Sequence, residues 1–273
     1  MPIVFELKSK PKLPLDVRRL VPDGISDLTH EQIGDLLIGC GNRTAKVSQW
    51  FDVEGDSDQQ EVVFKGSLEN VHSIGHSMTS GSITVSGSVG RHVGASMSGG
   101  TLVVRGNADD YLGYEMQGGT IVVHGNAADH VGGSFPGAKY GMNRGTILIS
   151  GSAGKGLGFR MRRGTIVVGG DVGEYAAWQM RAGTIMVFGS CGGDLGIDMK
   201  RGTILLLNEV PLGHTFSEGT ALALPFVEML LQWISSVSQK FEVSLPDVDA
   251  TPSQMWNGDK LCGGRGEVFL LTN

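Results

Sequence analysis

A nineteen-residue period governs this chain. Methionine recurs at Met78, Met97, Met116, Met142, Met161, Met180 and Met199, at intervals of 19 with a single interval of 26. In the long interval the methionine slot falls on Phe135, and Pro136 to Met142 are inserted before the pattern resumes. Three residues after each methionine stands a glycine (81, 100, 119, 145, 164, 183, 202). Nine residues after the first six stands another (87, 106, 125, 151, 170, 189). A unit this small cannot bury enough side chain to offset its own ordering entropy, so it must stack on copies of itself.

Between the two glycines lies a short run suited to a pleated, half-buried surface, such as Ile83-Thr84-Val85 or Ile166-Val167-Val168. A second short run follows, as in Val93-Gly94-Ala95-Ser96-Met97. Each unit therefore reads as strand, corner, strand, corner, with the glycines at both ends of the first strand supplying positive φ. Equivalent strands of successive units lie side by side about 4.8 Å apart. The expected fold is all-β: a single-stranded parallel β-helix of about seven coils, roughly 35 Å long, right-handed by the rule for parallel crossovers. Alternation within the strand points Ile121 and Val123 inward, joined by Met116 and Val131.

Beside that interior runs a second apolar stripe: Val103, Val122, Leu148, Val167, Met186 and Leu205. A solvated sheet face should be polar there, so something must cover it. The candidate within the chain is PFVEMLLQWISSVSQKF. Its Phe226, Met229, Leu230, Trp233, Ile234, Val237 and Phe241 fall at helical spacing. One helix of about 25 Å is too short to cover every face, and another protein is expected over the remainder. Three regions follow: residues 1–60 as an N-terminal cap, 61–213 as the β-helix, and 214–273 as a helix and closing strand packed on it. In the cap, Thr29 and Gln32 have capping-box spacing, and an extended pair is expected around Lys46-Val47 and Trp50 to Val53.

The composition narrows the function. Glycine is 43 of 273 residues but lacks the spacing of collagen, and 40% hydrophobic residues argue against disorder. A net charge of -6 gives no general attraction to nucleic acid or an anionic membrane. No apolar run is long enough to span a bilayer and no signal-peptide pattern opens the chain. With three isolated cysteines, Cys40, Cys191 and Cys262, the expectation is a cytoplasmic protein.

Catalytic patterns fail on inspection. Gly154-Lys155 lacks the spacing of a phosphate-binding loop, Gly39-Cys40-Gly41 is half a dinucleotide fingerprint, and His30-Glu31 lacks the second histidine of a zincin helix. No paired nucleophile and base emerges, and no metal site is expected. Cys191 takes the slot of Ala108 and Ala127 and reads as a small packing residue. Fourteen residues after the successive methionines come His92, Tyr111, His130, Gly156, Tyr175 and Asp194; a ladder of ring contacts at a corner is the expectation, a metal pair the alternative. Arg144, Arg160, Arg162, Arg163, Arg181, Lys200 and Arg201 flank the methionine column in the last coils. In an acidic chain this ridge is a candidate for docking an acidic protein surface or steering an anionic molecule.

The unit Gly-x-x-Met-x-x-Gly-Thr-Ile-Val-Val-x-Gly, at Gly113 to Gly125 and Gly158 to Gly170, resembles the glycine-patterned β-helix of the glutamate synthase large subunit. The ends carry a closer resemblance. Gly41-Asn42-Arg43, Trp50 to Gly55, Gly258-Asp259 and Gly263 to Val268 resemble the C subunits of formylmethanofuran dehydrogenase and of the bacterial formyltransferase/hydrolase complex. That resemblance implies a non-catalytic scaffold subunit of one-carbon metabolism that binds no cofactor itself. The chemistry sits on an amidohydrolase-like subunit and a formyltransferase subunit, and a further subunit is part of the complex. Methanofuran and tetrahydromethanopterin are the implied coenzyme substrates, the former with a glutamate-containing tail that the basic ridge would meet. The resemblance leaves the bacterial hydrolytic and the archaeal molybdenum or tungsten forms both open. The alternatives are a β-helix linking active sites in a glutamate-synthase-type amidotransferase, or a β-helix enzyme acting on polysaccharide. The first has no glutaminase or flavin portion in this chain, and the second usually carries an export signal.

Overall fold

The computed structural model describes residues 1–55, 60–220, 225–246 and 251–272. Strands β1 (Ile3–Leu7) and β2 (Leu15–Asp16) are followed by two helical turns, α1 (Pro22–Ile25) and α2 (His30–Asp35). Next come β3 (Leu37–Cys40), β4 (Arg43–Lys46), α3 (Val47–Trp50), β5 (Phe51–Glu54), β6 (Glu61–Lys65) and β7 (Val71–His72). The repeat supplies β8 (Ser82–Val85), β9 (Thr101–Val104), β10 (Thr120–Val123), β11 (Thr146–Ile149), β12 (Thr165–Val168), β13 (Thr184–Val187) and β14 (Arg201–Leu206). The chain closes with β15 (Ser217–Gly219), helix α4 (Pro225–Phe241), β16 (Thr251–Gly258) and β17 (Arg265–Thr272).

Strands β6 and β8 to β14 pair in parallel with no slip. Thr101, Thr120, Thr146, Thr165, Thr184 and Thr203 stand opposite one another in turn. The pairing of Thr120 with Thr146 holds across the long interval, so the inserted residues loop outward and leave the ladder intact. A second ladder of single bridges links Leu68, Val89, Ala108, Ala127, Ala153, Val172 and Cys191. This is the expected parallel β-helix. All seven recurring methionines are 0% exposed and belong to one continuous core with Ile121, Val123 and Val131.

The glycines divide into two kinds. Gly119 has φ 84°, and a Cβ there would meet the Met97 methyl at 2.7 Å and the Gly100 carbonyl oxygen at 2.8 Å. Gly125, at the other end of the strand, does not have the expected positive φ. It is confined because a Cβ would collide with Asn107 Oδ1 and lie 2.8 Å from the Gly106 oxygen. From Gly106 to Gly189 the second glycine column therefore serves close approach between coils rather than an unusual backbone conformation.

The second corner is built in a way the glycines do not announce. Tyr111, Gly113 and Glu115 have φ of 66°, 60° and 51°, and the same alternation recurs at His92, Gly94 and Ser96. Tyr111 donates its N–H forward to Asp129 (2.9 Å), Gly113 donates back to Val93 (2.8 Å), and Glu115 donates forward to Gly133 (3.0 Å). Alternate left-handed residues thus send their amides to opposite coils. A left-handed non-glycine residue costs about 1–2 kcal/mol. Here each is held by a hydrogen bond that would otherwise be missing in a buried ladder.

Helix α4 corrects one expectation. Val122, Leu148, Val167, Met186 and Leu205 are all 0% exposed within the chain itself. They pack with Val227, Ile234 and Val243 of the α4 segment and with Phe269 and Leu271 of β17, while Val103 is partly buried. No other protein is needed over this stripe. Of the seven residues expected to face the sheet, Leu230, Ile234, Val237 and Phe241 pack on it together with Val227 and Leu231. Phe226, Met229 and Trp233 are 40%, 69% and 38% exposed, and Phe226 meets Phe269 only edge-on at 6.1 Å.

The ends of the ladder are extended by the flanks. At one end β1 pairs in parallel with β6 and antiparallel with β5, over a cluster of Phe5, Phe51 and Phe64. Strand β2 continues the other side through its parallel pairing with β7. The capping box of α2 forms: Gln32 donates its N–H to Thr29 Oγ1 (3.3 Å), and Thr29 donates its own to Gln32 Oε1 (2.8 Å). The expected extended run at Val47 is instead the turn α3, in which Gln49 Oε1 accepts the Lys46 N–H (3.1 Å) and Val47 is buried. At the far end β17 adds in parallel to β14, and β16 and β15 follow antiparallel.

The replacement Gly119→Val should cost about 2 kcal/mol or more in denaturant unfolding, from left-handed strain plus the close contacts above. Gly193→Ala, where nothing lies within 4 Å, should stay within about 0.5 kcal/mol of the parent. Equal stability of the two variants would remove the corner assignment.

Candidate functional site

The ladder arranges the cations of the ridge in files. Arg162, Arg181 and Lys200 each follow a methionine and donate their N–H groups to Met142, Met161 and Met180 of the preceding coil. They therefore stack in one column at about 4.8 Å per rung. Arg163 and Arg201 stand in the adjoining column, which Arg265 extends because β17 pairs Arg265 with Arg201. A groove of about 520 Å³ opens between them, lined by Arg162, Arg163, Arg181, Lys200, Arg201 and Arg265 with Tyr140 and Cys262.

Five of the seven residues singled out in the ridge thus meet in one place. Arg144 is exposed but outside the groove. Arg160 faces an adjoining hollow of about 360 Å³, where it is held by Gln179 Oε1 (2.8 Å) and the Ala138 carbonyl (2.8 Å). Its guanidinium also lies 4.9 Å over the Phe159 ring, so it is a clamp on its own corner. Arg265 and Tyr140 are the residues that sequence reasoning missed. Arg265 lies 64 positions from Arg201 and reaches it only through β17, and Tyr140 sits in the seven-residue insertion.

The cations of the groove are unpaired, although Asp198 lines the adjoining hollow beside Arg181 and Lys200. Among the described residues, the ion pairs are made by other side chains, and none of the six groove cations has a carboxylate within 4.0 Å. The Tyr140 ring lies 4.7 Å from the Arg162 guanidinium. A hydrogen bond with Lys139, and the charges of Lys139, Arg162 and Arg181, pull its phenol below the ordinary value. Such a surface attracts carboxylates or phosphates, and neighbouring arginines can hold them by two hydrogen bonds each.

The other candidates behave as packing. His92, Tyr111 and His130 stack at 5.1 and 5.3 Å with interplanar angles of 5° and 9°, the expected ring ladder. Among the described residues, no group of three or more His, Cys, Asp or Glu side chains is placed to hold a metal ion. Cys191 closes the second ladder, and burial pushes its thiol up to about 12, so it is not a thiolate near neutral pH.

Known proteins share this fold. The GXGXG motif family matches residues 79–218, just over half of the chain. A chain of the formyltransferase/hydrolase complex (FhcABCD) from Methylorubrum extorquens, solved in complex with methylofuran, superposes with a TM-score of 0.89. It is 34% identical, over 98% of both chains. This chain belongs to the GXGXG family. Among curated relatives, the C subunit of the tungsten-containing formylmethanofuran dehydrogenase 2 of Methanococcus maripaludis is 35% identical over 92 residues, 33% of this chain. The C subunit of the molybdenum-containing formylmethanofuran dehydrogenase 1 of Methanosarcina barkeri is 38% identical over 86 residues, 30% of this chain. These matches span only about a third of the relatives' length, 34% and 28%. No helix among the described residues is long and apolar enough to cross a membrane. At Gly156 and Gly158 the first two left-handed positions of the corner are both glycine, whereas the coils of His92, Tyr111 and His130 keep glycine only at the second.

Unpaired like charges in the groove make a testable demand. Arg163→Gln and Arg201→Gln should each raise stability by a few tenths of a kcal/mol at low ionic strength, and the gain should vanish in about 0.5 M salt. Thermal unfolding at both salt concentrations reads this. A loss of stability at low salt would mean that these arginines have acidic partners within the chain.

Proposed function

We propose that this chain is a non-catalytic scaffold subunit of a cytoplasmic formyltransferase/hydrolase complex of the formylmethanofuran dehydrogenase type. In that complex formyl-tetrahydromethanopterin, formylmethanofuran and formate are interconverted on an amidohydrolase-like subunit and a formyltransferase subunit, and a further subunit is part of the assembly. Residues 1–60 act as the cap, 61–213 as the rod, and 214–273 as the closing extension. The observation that carries this reading is the correspondence, over 98% of both chains, with a chain of the FhcABCD complex.

The groove supplies a surface for such a role. Its six cations favour either an acidic face of a partner subunit or the anionic tail of the coenzyme. Arg162, Arg163, Arg181, Lys200 and Arg201 are the docking or steering residues, with Arg265 and Tyr140 added from the geometry. Arg144 and Arg160 flank them. The exposed Phe226, Met229 and Trp233 of α4 give the assembly an apolar face as well.

Native purification through a tag on this chain tests the reading. The expected result is co-purification of an amidohydrolase-like and a formyltransferase-like chain, with formyl transfer by the assembly and none by this chain alone. Charge reversal at Arg162, Arg163 and Arg181 should either release one partner or, in an intact assembly, raise the KM for the tailed coenzyme. Isolation of the tagged chain without those partners, or with a glutaminase or flavin chain, overturns it.

A further inference from the structure

A second hollow, of about 540 Å³, lies where the N-terminal segment meets the first coils. Its chemistry is unlike that of the basic groove. Arg18 is forked onto the Asp16 carboxylate, with Nε at 3.0 and 3.1 Å. Arg91 is paired with Asp109 (3.3 Å) and Asp110 (3.2 Å). Both guanidiniums are therefore already answered, and an anion gains little by entering.

The remaining polar lining is three imidazoles, His72, His76 and His92, with Ser73. His72 Nδ1 accepts the Arg91 N–H at 2.7 Å, and His76 Nδ1 meets Ser77 Oγ at 2.9 Å. Burial lowers the pKa of His72, His76 and His92 alike, which favours neutral rings. His92 is held by its stack, with Tyr111 on one face and Phe135 beside it at 5.7 Å, and its buried Nδ1 has no hydrogen-bond partner.

The position of Ser73 decides what fits. Ser73 occupies the same corner slot as His92 and Tyr111, one coil earlier, with φ 63° and its N–H donated forward to Arg91 (2.9 Å). His92, Tyr111 and His130 place ring above ring at this corner in three successive coils; the coil of Ser73 has the same backbone and no ring. The ring stack therefore ends at His92, beside a cavity large enough for a small ligand. We propose that this hollow is a binding site for an uncharged, planar nitrogen heteroaromatic, stacked on His92 and hydrogen-bonded along its edge by His72 and His76. The site is independent of the scaffold role and of the basic groove.

Titration of the full chain with adenine, followed by saturation-transfer NMR, tests it, with cyclohexanecarboxamide as a non-planar probe. Adenine should bind at least about tenfold more tightly than the non-planar probe. Ser73→Tyr puts a ring into the slot in a backbone conformation that Tyr111 and Tyr175 already adopt, so the fold should survive. It should weaken adenine at least about tenfold with no fall in Tm. Should that variant misfold, His92→Leu removes the platform without adding bulk and should produce the same weakening. Absence of adenine binding to the parent chain, equal binding of both probes, or unchanged adenine affinity in the folded variant overturns the proposal.

Discussion

Hydrogen bonds between successive coils are the interaction on which everything else in this molecule rests. A nineteen-residue coil cannot close a core alone, and apart from short turn bonds such as Met116 N–H to the Gly113 carbonyl, its amides find partners in the coils above and below. At the first corner a glycine with positive φ turns the chain while leaving room for the methionine methyl of the previous coil. At the second corner the left-handed residues alternate, and their amides point forward and back in turn. From His92 to Gln179 the backbone strain of those residues is tolerable because each donates a hydrogen bond of 2.7–3.1 Å to a neighbouring coil.

The surface chemistry follows from the same stacking. A repeat of constant length places equivalent side chains in files, so a few basic residues per coil become a continuous basic wall. Arg162, Arg181 and Lys200 share one file, and Arg163, Arg201 and Arg265 share the next. The rings at His92, Tyr111 and His130 form a stack by the same rule. Where one coil breaks the file, as Ser73 does, a cavity remains beside the last ring.

The legibility of these features in the sequence follows the period. The methionine file is readable because a buried apolar residue must return to the same inward slot in each coil, and the first glycine column because it returns with it. The left-handed corner is not readable at His92, Tyr111 or Glu115, since no side chain there advertises positive φ. The second glycine column misleads for a related reason: sequence shows that a Cβ is absent, and not whether conformation or crowding excludes it. The stripe at Val122 to Leu205 visibly needs a cover, but the length of one helix is a poor measure of what can supply it. Val243 and the β17 residues Phe269 and Leu271 complete that cover from positions with no periodic link to the stripe. Arg265 escapes notice in the same way, because only the pairing of β17 with β14 brings it to Arg201.

The most direct measurement of the central claim is residue-resolved amide hydrogen exchange across the second corner. Tyr111, Glu115 and His130 donate forward, and Gly113 and Gly132 donate back, so all five amides should exchange only through global unfolding, as slowly as those of Ile121 and Val123. Fast exchange at Tyr111, Glu115 and His130 beside a protected strand would show that the corner is an ordinary loop, and that the coils are not joined on that side.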